Sequence, residues 1–269
     1  DAKATLTNKI TLTSGLSGIK FENLIFTNKA QIHAPGTIDN FEFINNIVND
    51  ITLKPTQYSP ANRVDVEAFI RLYTLSGSNV VGNVTVMNNK FNNIEADIIS
   101  IARTSIDKEI IITNNEFNNF FNSAVRFDGG YNNGKYTIVN NIFKHDIAGT
   151  NNNVLLFRAY SPSGGQTQEI IIEGNEFINV GSLEMPIAAT YPGTSVIAFS
   201  TFNDYLTYIS ISDNLFENTA NNIHLRNVTS RPQNLNVNIN YNEFRNTNGY
   251  YLYEAEDVTN IREADFNYN

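Results

Sequence analysis

The sequence contains no cysteine and no tryptophan, and only 2 methionines, among its 269 residues. Without cysteine, neither a disulfide framework nor a thiolate metal site can form. No run of apolar residues approaches the length of a membrane-spanning helix, so membrane insertion is not expected. Acidic residues outnumber basic residues by 27 to 18, which gives a net charge of −9 and argues against nucleic acid as a partner.

The residues that are abundant favour β-structure: asparagine, isoleucine, valine, threonine, phenylalanine and tyrosine. One elongated domain over residues 1–269 accounts for the whole length. Because the sequence starts within a β-like stretch, Ala4 to Thr13, we expect it to be a piece cut from a longer surface protein.

A short pattern, apolar-x-apolar-x-x-Asn-x-Phe, recurs along the chain. It is clearest at 84–91, where two valines precede Asn89 and Phe91 follows it. The asparagine of the pattern returns at Asn115, Asn141, Asn175, Asn214 and Asn242, each time with phenylalanine two residues later. Relaxed copies lie at 19–26, 41–48 and 259–266, with Leu24, Asn46 and Ala264 in the asparagine position. The pattern therefore predicts about nine coils.

A repeat of this period is typical of a solenoid, in which each unit stacks on the next. The alternating apolar residues predict a strand with one buried face. Asparagine tolerates a left-handed turn, and its amide can bond to the same amide one coil away. The phenylalanine points inward again and stacks on its neighbours. The predicted fold is therefore all-β, a parallel β-helix with an asparagine ladder and a phenylalanine stack.

Insertions interrupt this regular repeat. The shortest step between asparagine positions is 22 residues, from 24 to 46, and longer steps place extra residues at 54–63, 161–168 and 182–194. Insertions in repeat proteins often mark the binding face, and neutral decoration is the alternative interpretation.

A third strand is predicted in each coil, and five of these segments carry an arginine: Arg71, Arg103, Arg126, Arg158 and Arg226. Apolar neighbours on both sides of four of them predict that the arginine points outward. Arg103 breaks this alternation. Because stacked coils are about 4.8 Å apart, we expect the arginines to form one positive strip.

Such a strip suits the carboxylates or sulfates of a linear polymer, which arginine binds in a bidentate manner. Five tyrosines that could stack on sugar rings lie on the strip or in the loops beside it: Tyr58, Tyr73, Tyr131, Tyr160 and Tyr191. The structural alternative is pairing of the arginines with nearby carboxylates in surface networks. Those carboxylates are Asp65, Glu67, Asp97 and Asp128, which are also weak candidates for a Ca²⁺ site.

No recognised catalytic signature is present, and no cofactor is predicted. The three histidines are scattered, and only His224 is expected to share a face with an arginine. β-Elimination on a uronate would need a base and a group that neutralises the carboxylate. Arg126, Lys135 and Arg158 are the candidates for those roles.

The repeated words ITNNEF, IVNNIF, IEGNEF, ISDNLF and INYNEF resemble coils of the right-handed parallel β-helices of the pectate-lyase-like superfamily. The resemblance covers residues 19–269. The repeated pattern is similar to that of polysaccharide lyases such as chondroitinase B and the alginate lyases. The pattern is also similar to that of the β-solenoid binding regions of bacterial surface adhesins, including serine-rich repeat adhesins of lactobacilli. The resemblance implies a right-handed helix, a groove along one parallel sheet, and acidic polysaccharide as the ligand class.

We therefore expect an extracellular carbohydrate-binding region of a bacterial cell-surface adhesin, which binds acidic polysaccharide or a host glycan. A binding region is favoured over an enzyme because no residues here match the catalytic basic pair of a lyase. The first alternative is a polysaccharide lyase or hydrolase that acts on uronate-containing glycans in the same groove. The second is a structural stalk that contacts a protein partner.

Overall fold

A computed structural model describes twelve stretches of the chain, called the described residues below. They are 3–53, 67–73, 80–106, 108–121, 123–131, 134–146, 153–158, 167–181, 195–200, 206–226, 234–254 and 261–267. The regular structure of these residues is all β-strand. No helix within them is long and apolar enough to cross a membrane.

The described residues form 28 strands, numbered β1 to β28 in chain order, which pair in parallel. Each full coil contributes one strand to each of three sheets. The first sheet contains β3 (Leu16–Glu22), β6 (Ile38–Ile44), β10 (Val84–Met87), β13 (Glu109–Thr113), β16 (Lys135–Val139), β19 (Thr167–Glu173), β22 (Leu206–Ser212), β25 (Asn234–Asn240) and β28 (Ile261–Asn267).

The second sheet follows the asparagine turn of each coil. It contains β1 (Thr5–Leu6), β4 (Ile25–Asn28), β7 (Ile47–Ile51), β11 (Lys90–Ile94), β14 (Glu116–Phe120), β17 (Ile142–Lys144), β20 (Glu176–Ile178), β23 (Leu215–Glu217) and β26 (Glu243–Arg245).

The third sheet contains β2 (Lys9–Thr11), β5 (Gln31–Ala34), β8 (Ala68–Tyr73), β12 (Asp97–Ile106), β15 (Val125–Tyr131), β18 (Leu155–Arg158), β21 (Ile197–Ser200), β24 (Ile223–Arg226) and β27 (Leu252–Glu254). The short strand β9 (Val80–Val81) pairs with both β6 and β12. The parallel β-helix predicted from the repeat is confirmed.

The predicted asparagine ladder is present, and Asn141 shows its geometry. Its Nδ2 donates to Oδ1 of Asn175 at 3.0 Å and to the Ile112 carbonyl at 2.9 Å. Its Oδ1 accepts from the backbone N and from Nδ2 of Asn115, at 3.0 and 2.9 Å. The ladder side chains are buried, at Asn46, Asn89, Asn115, Asn141, Asn175, Asn214 and Asn242.

The left-handed backbone does not lie at the ladder asparagine, where the sequence predicts it, but one residue earlier. The ladder residue keeps its amide and its N–H along the stacking direction, so the abrupt change of direction falls on the residue before it. The ladder positions are preceded by positive φ at Asn23, Asn45, Asn88, Asn114, Asn140, Gly174, Asp213 and Tyr241. A second left-handed row, which the sequence did not predict, lies at the C-terminal ends of the second-sheet strands, within the last two residues or just after them. Its members are Asn28, Asp50, Asn93, Asn119, Asn179, Asn218 and Asn246.

The predicted phenylalanine stack is confirmed in the second sheet. From Phe91 to Phe244, neighbouring ring centroids lie 4.8–5.1 Å apart with interplanar angles of 2–16°. A second stack, not predicted, runs through the third sheet. Its members are Phe127, Phe157 and Phe199, with centroid separations of 5.0 and 4.9 Å.

The register of β28 differs from the predicted one. Ala264 pairs with Val237, and Phe266 pairs with Ile239. Phe266 therefore belongs to the first sheet and not to the phenylalanine stack. Since the ladder position lies five residues after Val237, at Asn242, the same step from Ala264 leads to position 269 and not to 264. The relaxed pattern was misaligned because alternating apolar residues fit the repeat at more than one offset.

The insertions at 54–63 and 182–194 lie outside the described residues. The strands before them, β7 and β20, belong to the second sheet, and the strands after them, β8 and β21, belong to the third sheet. The predicted end of the insertion at 161–168 is wrong by two residues. Thr167 and Gln168 belong to β19, where each pairs with a residue of β22.

Candidate functional site

The third sheet carries the five predicted arginines, but four of them lie in two register rows and not in one strip, and Arg103 lies in neither row. The Arg126 row runs through His33, Arg71, Ser100, Arg126, Leu156, Ala198 and His224. The Arg158 row runs through Tyr73, Ala102, Asp128, Arg158, Ser200 and Arg226. The rows lie two residues apart along the strands, or about 6.6 Å. Sequence alternation identifies the shared side of a strand but not the register between coils.

Arg126 is buried, which corrects the expectation that it lies on an open surface. It retains 3 % of its exposure, and its row neighbours Ser100, Leu156 and His224 retain 2–6 %. The inward residues of the same strands are also buried. Both sides of these strands are therefore covered at this row, and strand alternation alone does not reveal whether the outward side is covered.

Two carboxylates accompany the arginines of this row. Arg126 Nη1 lies 3.8 Å from Oδ2 of Asp97, which is itself fully buried. Oδ1 of Asp97 accepts the backbone N–H of Ser123 at 2.9 Å. Arg71 Nη1 lies 3.9 Å from Oε1 of Glu67. The pairing of these arginines with Glu67 and Asp97 matches the structural alternative, although the Asp97 pair is buried and not on the surface.

Glu67 also accepts a hydrogen bond from Nε2 of Gln31, at 2.7 Å, and Gln31 donates as well to the Ala68 carbonyl. These contacts tie β5 to β8 at the N-terminal part of the third sheet. Gln31 is buried, so its amide is held in a single environment beside the Glu67–Arg71 pair.

His33 shares the Arg126 row, which the sequence analysis missed. Burial lowers the pKa of His33 to about 4, and the nearby charges of Lys9 and Arg71 act in the same direction. His33 is therefore neutral at pH 7, next to Arg71. The sequence could have revealed this position, because residues 31–34 match residues 69–72 and His33 then aligns with Arg71. The match was overlooked because residues 31–34 contain no arginine.

The strands and their register place the remaining predicted residues of the third sheet. Arg103 lies within β12, Tyr73 ends β8, and Asp128, Arg158 and Arg226 occupy the Arg158 row. Asp65, Tyr58, Tyr160 and Tyr191 lie outside the described residues. Within the described part of the chain, no group of three His, Cys, Asp or Glu side chains is arranged to hold a metal ion.

Lys135 lies on a different sheet from Arg126 and Arg158. The prediction that these three residues together could carry out β-elimination is therefore wrong for Lys135. It begins β16 of the first sheet, where it pairs in register with Glu109 and Glu169. Its Nζ lies 3.5 Å from Oε2 of Glu169. The sequence places Lys135 only nine residues after Arg126, but the chain turns from the third sheet to the first between them.

Comparison of the chain with protein-family models, with curated proteins and with solved structures finds no match. The resemblance to the pectate-lyase-like superfamily therefore stays a prediction. What the geometry establishes is a parallel β-helix with a charged third sheet.

Proposed function

We propose that the chain is an extracellular carbohydrate-binding β-solenoid, the adhesive region of a bacterial cell-surface protein, which binds acidic polysaccharide along its third sheet. The observation that supports this proposal is the concentration of arginine there. Five of the nine arginines of a chain with net charge −9 fall on strands of this one sheet. A solenoid has no need of like charges in stacked coils in order to fold.

The spacing of the arginines suits a linear polymer that runs across the strands. Arg158 and Arg226 share a row and are two coils apart, which is about 9.6 Å. Arg71 and Arg126 have the same two-coil spacing in the neighbouring row. This step is comparable with the length of two sugar units of an extended glycan. Arg158 and Arg226 would therefore each contact one carboxylate or sulfate, two sugar units apart.

The two rows have different roles in this proposal. Arg126 is buried beside Asp97, whose carboxylate offsets its charge, so it serves the scaffold. The Arg158 row supplies the residues that contact the polymer. A variant that removes Arg126 alone leaves the buried Asp97 carboxylate without that partner and tests stability instead of binding.

The test is co-sedimentation and titration of the protein with polygalacturonate, alginate and chondroitin sulfate, with and without Ca²⁺. The double variant Arg158→Ala/Arg226→Ala removes two charges from the third sheet. The matched control, Lys90→Ala/Arg245→Ala, removes two exposed charges from the second sheet. We expect the first variant to weaken binding at least about tenfold and the control to change it little, because a charge-assisted contact is worth about 1.5–3 kcal/mol.

Binding should also weaken steeply as ionic strength rises, since salt screens exposed charges. Equal affinity of the two double variants would show that the third sheet is not the site. Ultraviolet absorbance of an unsaturated product in the same samples would instead establish a lyase. The absence of both binding and product would favour the alternative that the chain is a structural stalk.

A further inference from the structure

The first sheet carries a concavity of about 300 Å³ on its outward face, away from both arginine rows. It lies over β19, β22 and β25, at the C-terminal half of the solenoid. Its lining residues are 169–171, 208–210 and 236–238, which are in register across the three strands. The outward rows that cross it are Glu169–Tyr208–Asn236 and Ile171–Ser210–Asn238.

The floor of this concavity is part of the scaffold. Ile170, Ile209 and Val237 point into the core and retain only 2–3 % exposure. The strands that carry them are fully paired on both sides, β22 with β19 and with β25. The backbone beneath the outward side chains is therefore preformed, so a ligand need not order it first.

Tyr208 supplies an aromatic side chain that a soluble scaffold does not need. It is 41 % exposed, on a sheet face where polar residues are usual. Ile171 lies diagonally across from it, one strand away and one row along. Together they form an apolar surface with a phenol hydroxyl, which suits the C–H face of a sugar ring and one of its hydroxyls.

Asn236 supplies a polar group that lacks a partner. Its Oδ1 is buried, and no hydrogen bond reaches it. An unsatisfied buried acceptor costs about 1–3 kcal/mol, so a rotation of the Asn236 side chain that brings Oδ1 to a ligand donor would be favoured. Asn238 and Ser210 lie beside it in the second row and offer an amide and a hydroxyl.

The charge of the concavity distinguishes it from the third sheet. Glu169 is the one charged residue among the lining residues, and Lys135 lies 3.5 Å from its carboxylate. The two charges offset each other, and no arginine lines the surface. An anionic polymer therefore finds no excess positive charge here, whereas a neutral polyhydroxylated ligand meets amide, hydroxyl and carboxylate groups beside an aromatic ring.

We infer that this concavity is a second carbohydrate site, which binds one or two rings of a neutral saccharide. Tyr208 packs against the ring, Asn236 turns its Oδ1 outward to accept a hydrogen bond from a hydroxyl, and Glu169 accepts from another. The volume lies at the lower end of the range for small-molecule sites, about 300–1,000 Å³. This site is independent of the acidic-polysaccharide proposal because it uses other residues on another sheet.

The test is titration of the whole 269-residue chain with four neutral disaccharides, cellobiose, maltose, lactose and chitobiose, followed by calorimetry and by ligand-observed NMR. We expect at least one to bind, and Tyr208→Ala and Asn236→Leu each to weaken that binding at least about tenfold, a loss of about 1.4 kcal/mol. The matched control is Tyr241→Ala, which removes an exposed tyrosine that does not line the concavity.

Two further measurements separate this inference from the proposed function. Binding of the neutral disaccharide should be insensitive to salt and to Arg158→Ala/Arg226→Ala, whereas binding of acidic polysaccharide should respond to both. Because Asn236→Leu removes an unsatisfied group, its unfolding temperature should not fall, and this variant remains interpretable. Lack of binding by all four disaccharides would overturn the inference, and so would binding that neither Tyr208→Ala nor Asn236→Leu weakens.

Discussion

Replacing Asn141 with leucine should destabilise the solenoid at its centre. The substitution removes the oxygen that accepts the backbone N–H of Asn115 at 3.0 Å and the amide donor that reaches the Ile112 carbonyl at 2.9 Å. Nδ2 of Asn115 keeps another acceptor, the Val86 carbonyl at 2.9 Å. The main cost is therefore one buried backbone N–H that loses its partner.

The magnitude follows from this count. An orphaned buried donor costs about 1–3 kcal/mol, and each further hydrogen bond lost contributes about 1 kcal/mol. We expect the free energy of unfolding to fall by about 3–5 kcal/mol in Asn141→Leu, since the amide also bonds to Asn175. Leucine is a fair choice because Leu24 already occupies the same position at the N-terminal end of the ladder, where its N–H bonds to Asn46.

The assay is urea unfolding followed by circular dichroism, together with hydrogen exchange resolved by segment. Exchange is needed because coils of a repeat protein interact mainly with their neighbours, so the loss can be local. We expect faster exchange in β13, β16 and β19 and little change in β3. The matched control is Asn92→Ala. Its partly buried amide donates to Asn49 and accepts from Asn118, so the loss of these two hydrogen bonds should cost about 1–2 kcal/mol. A cost for Asn141→Leu no larger than that of this control would refute the reasoning.

Three further outcomes are expected. Phe143→Ala should cost about 3–5 kcal/mol and Phe143→Leu much less, by urea unfolding, because the alanine leaves a cavity between two stacked rings. Tyr241→Asn should raise the unfolding temperature, with a gain of about 1 kcal/mol, because Tyr241 holds φ 57° where asparagine is tolerated; an unchanged midpoint would contradict this. Burial lowers the pKa of His145 from 6.5 to about 4, so its neutral form is favoured in the folded state. The stability that His145 contributes should be complete above pH 6.5 and lost as the pH falls towards 4, by at most about 1 kcal/mol per pH unit after screening. In His145→Gln, the free energy of unfolding should therefore depend less on pH between pH 6.5 and pH 4.

Much of the scaffold could be predicted from the sequence because its determinants are local and repeated. Val84, Val86, Asn89 and Phe91 each have one role that spacing alone identifies: two inward strand positions, one ladder amide and one stacked ring. The misaligned last coil at Ala264 shows the limit, since there the asparagine that marks the offset falls outside the pattern that was matched.

The candidate sites depended on contacts between coils, which spacing does not determine because insertions change the length of each coil. The division of the arginines into the Arg126 and Arg158 rows follows from register across β12, β15 and β18. The burial of Arg126 beside Asp97, and the concavity at Tyr208, arise from groups that are far apart in the sequence. By itself, the sequence determined the parallel β-helix, because the repeat specifies which side chains enter the core. Only the tertiary structure decided which polar side chains meet, because that depends on the register of stacked strands and on what covers their outer faces.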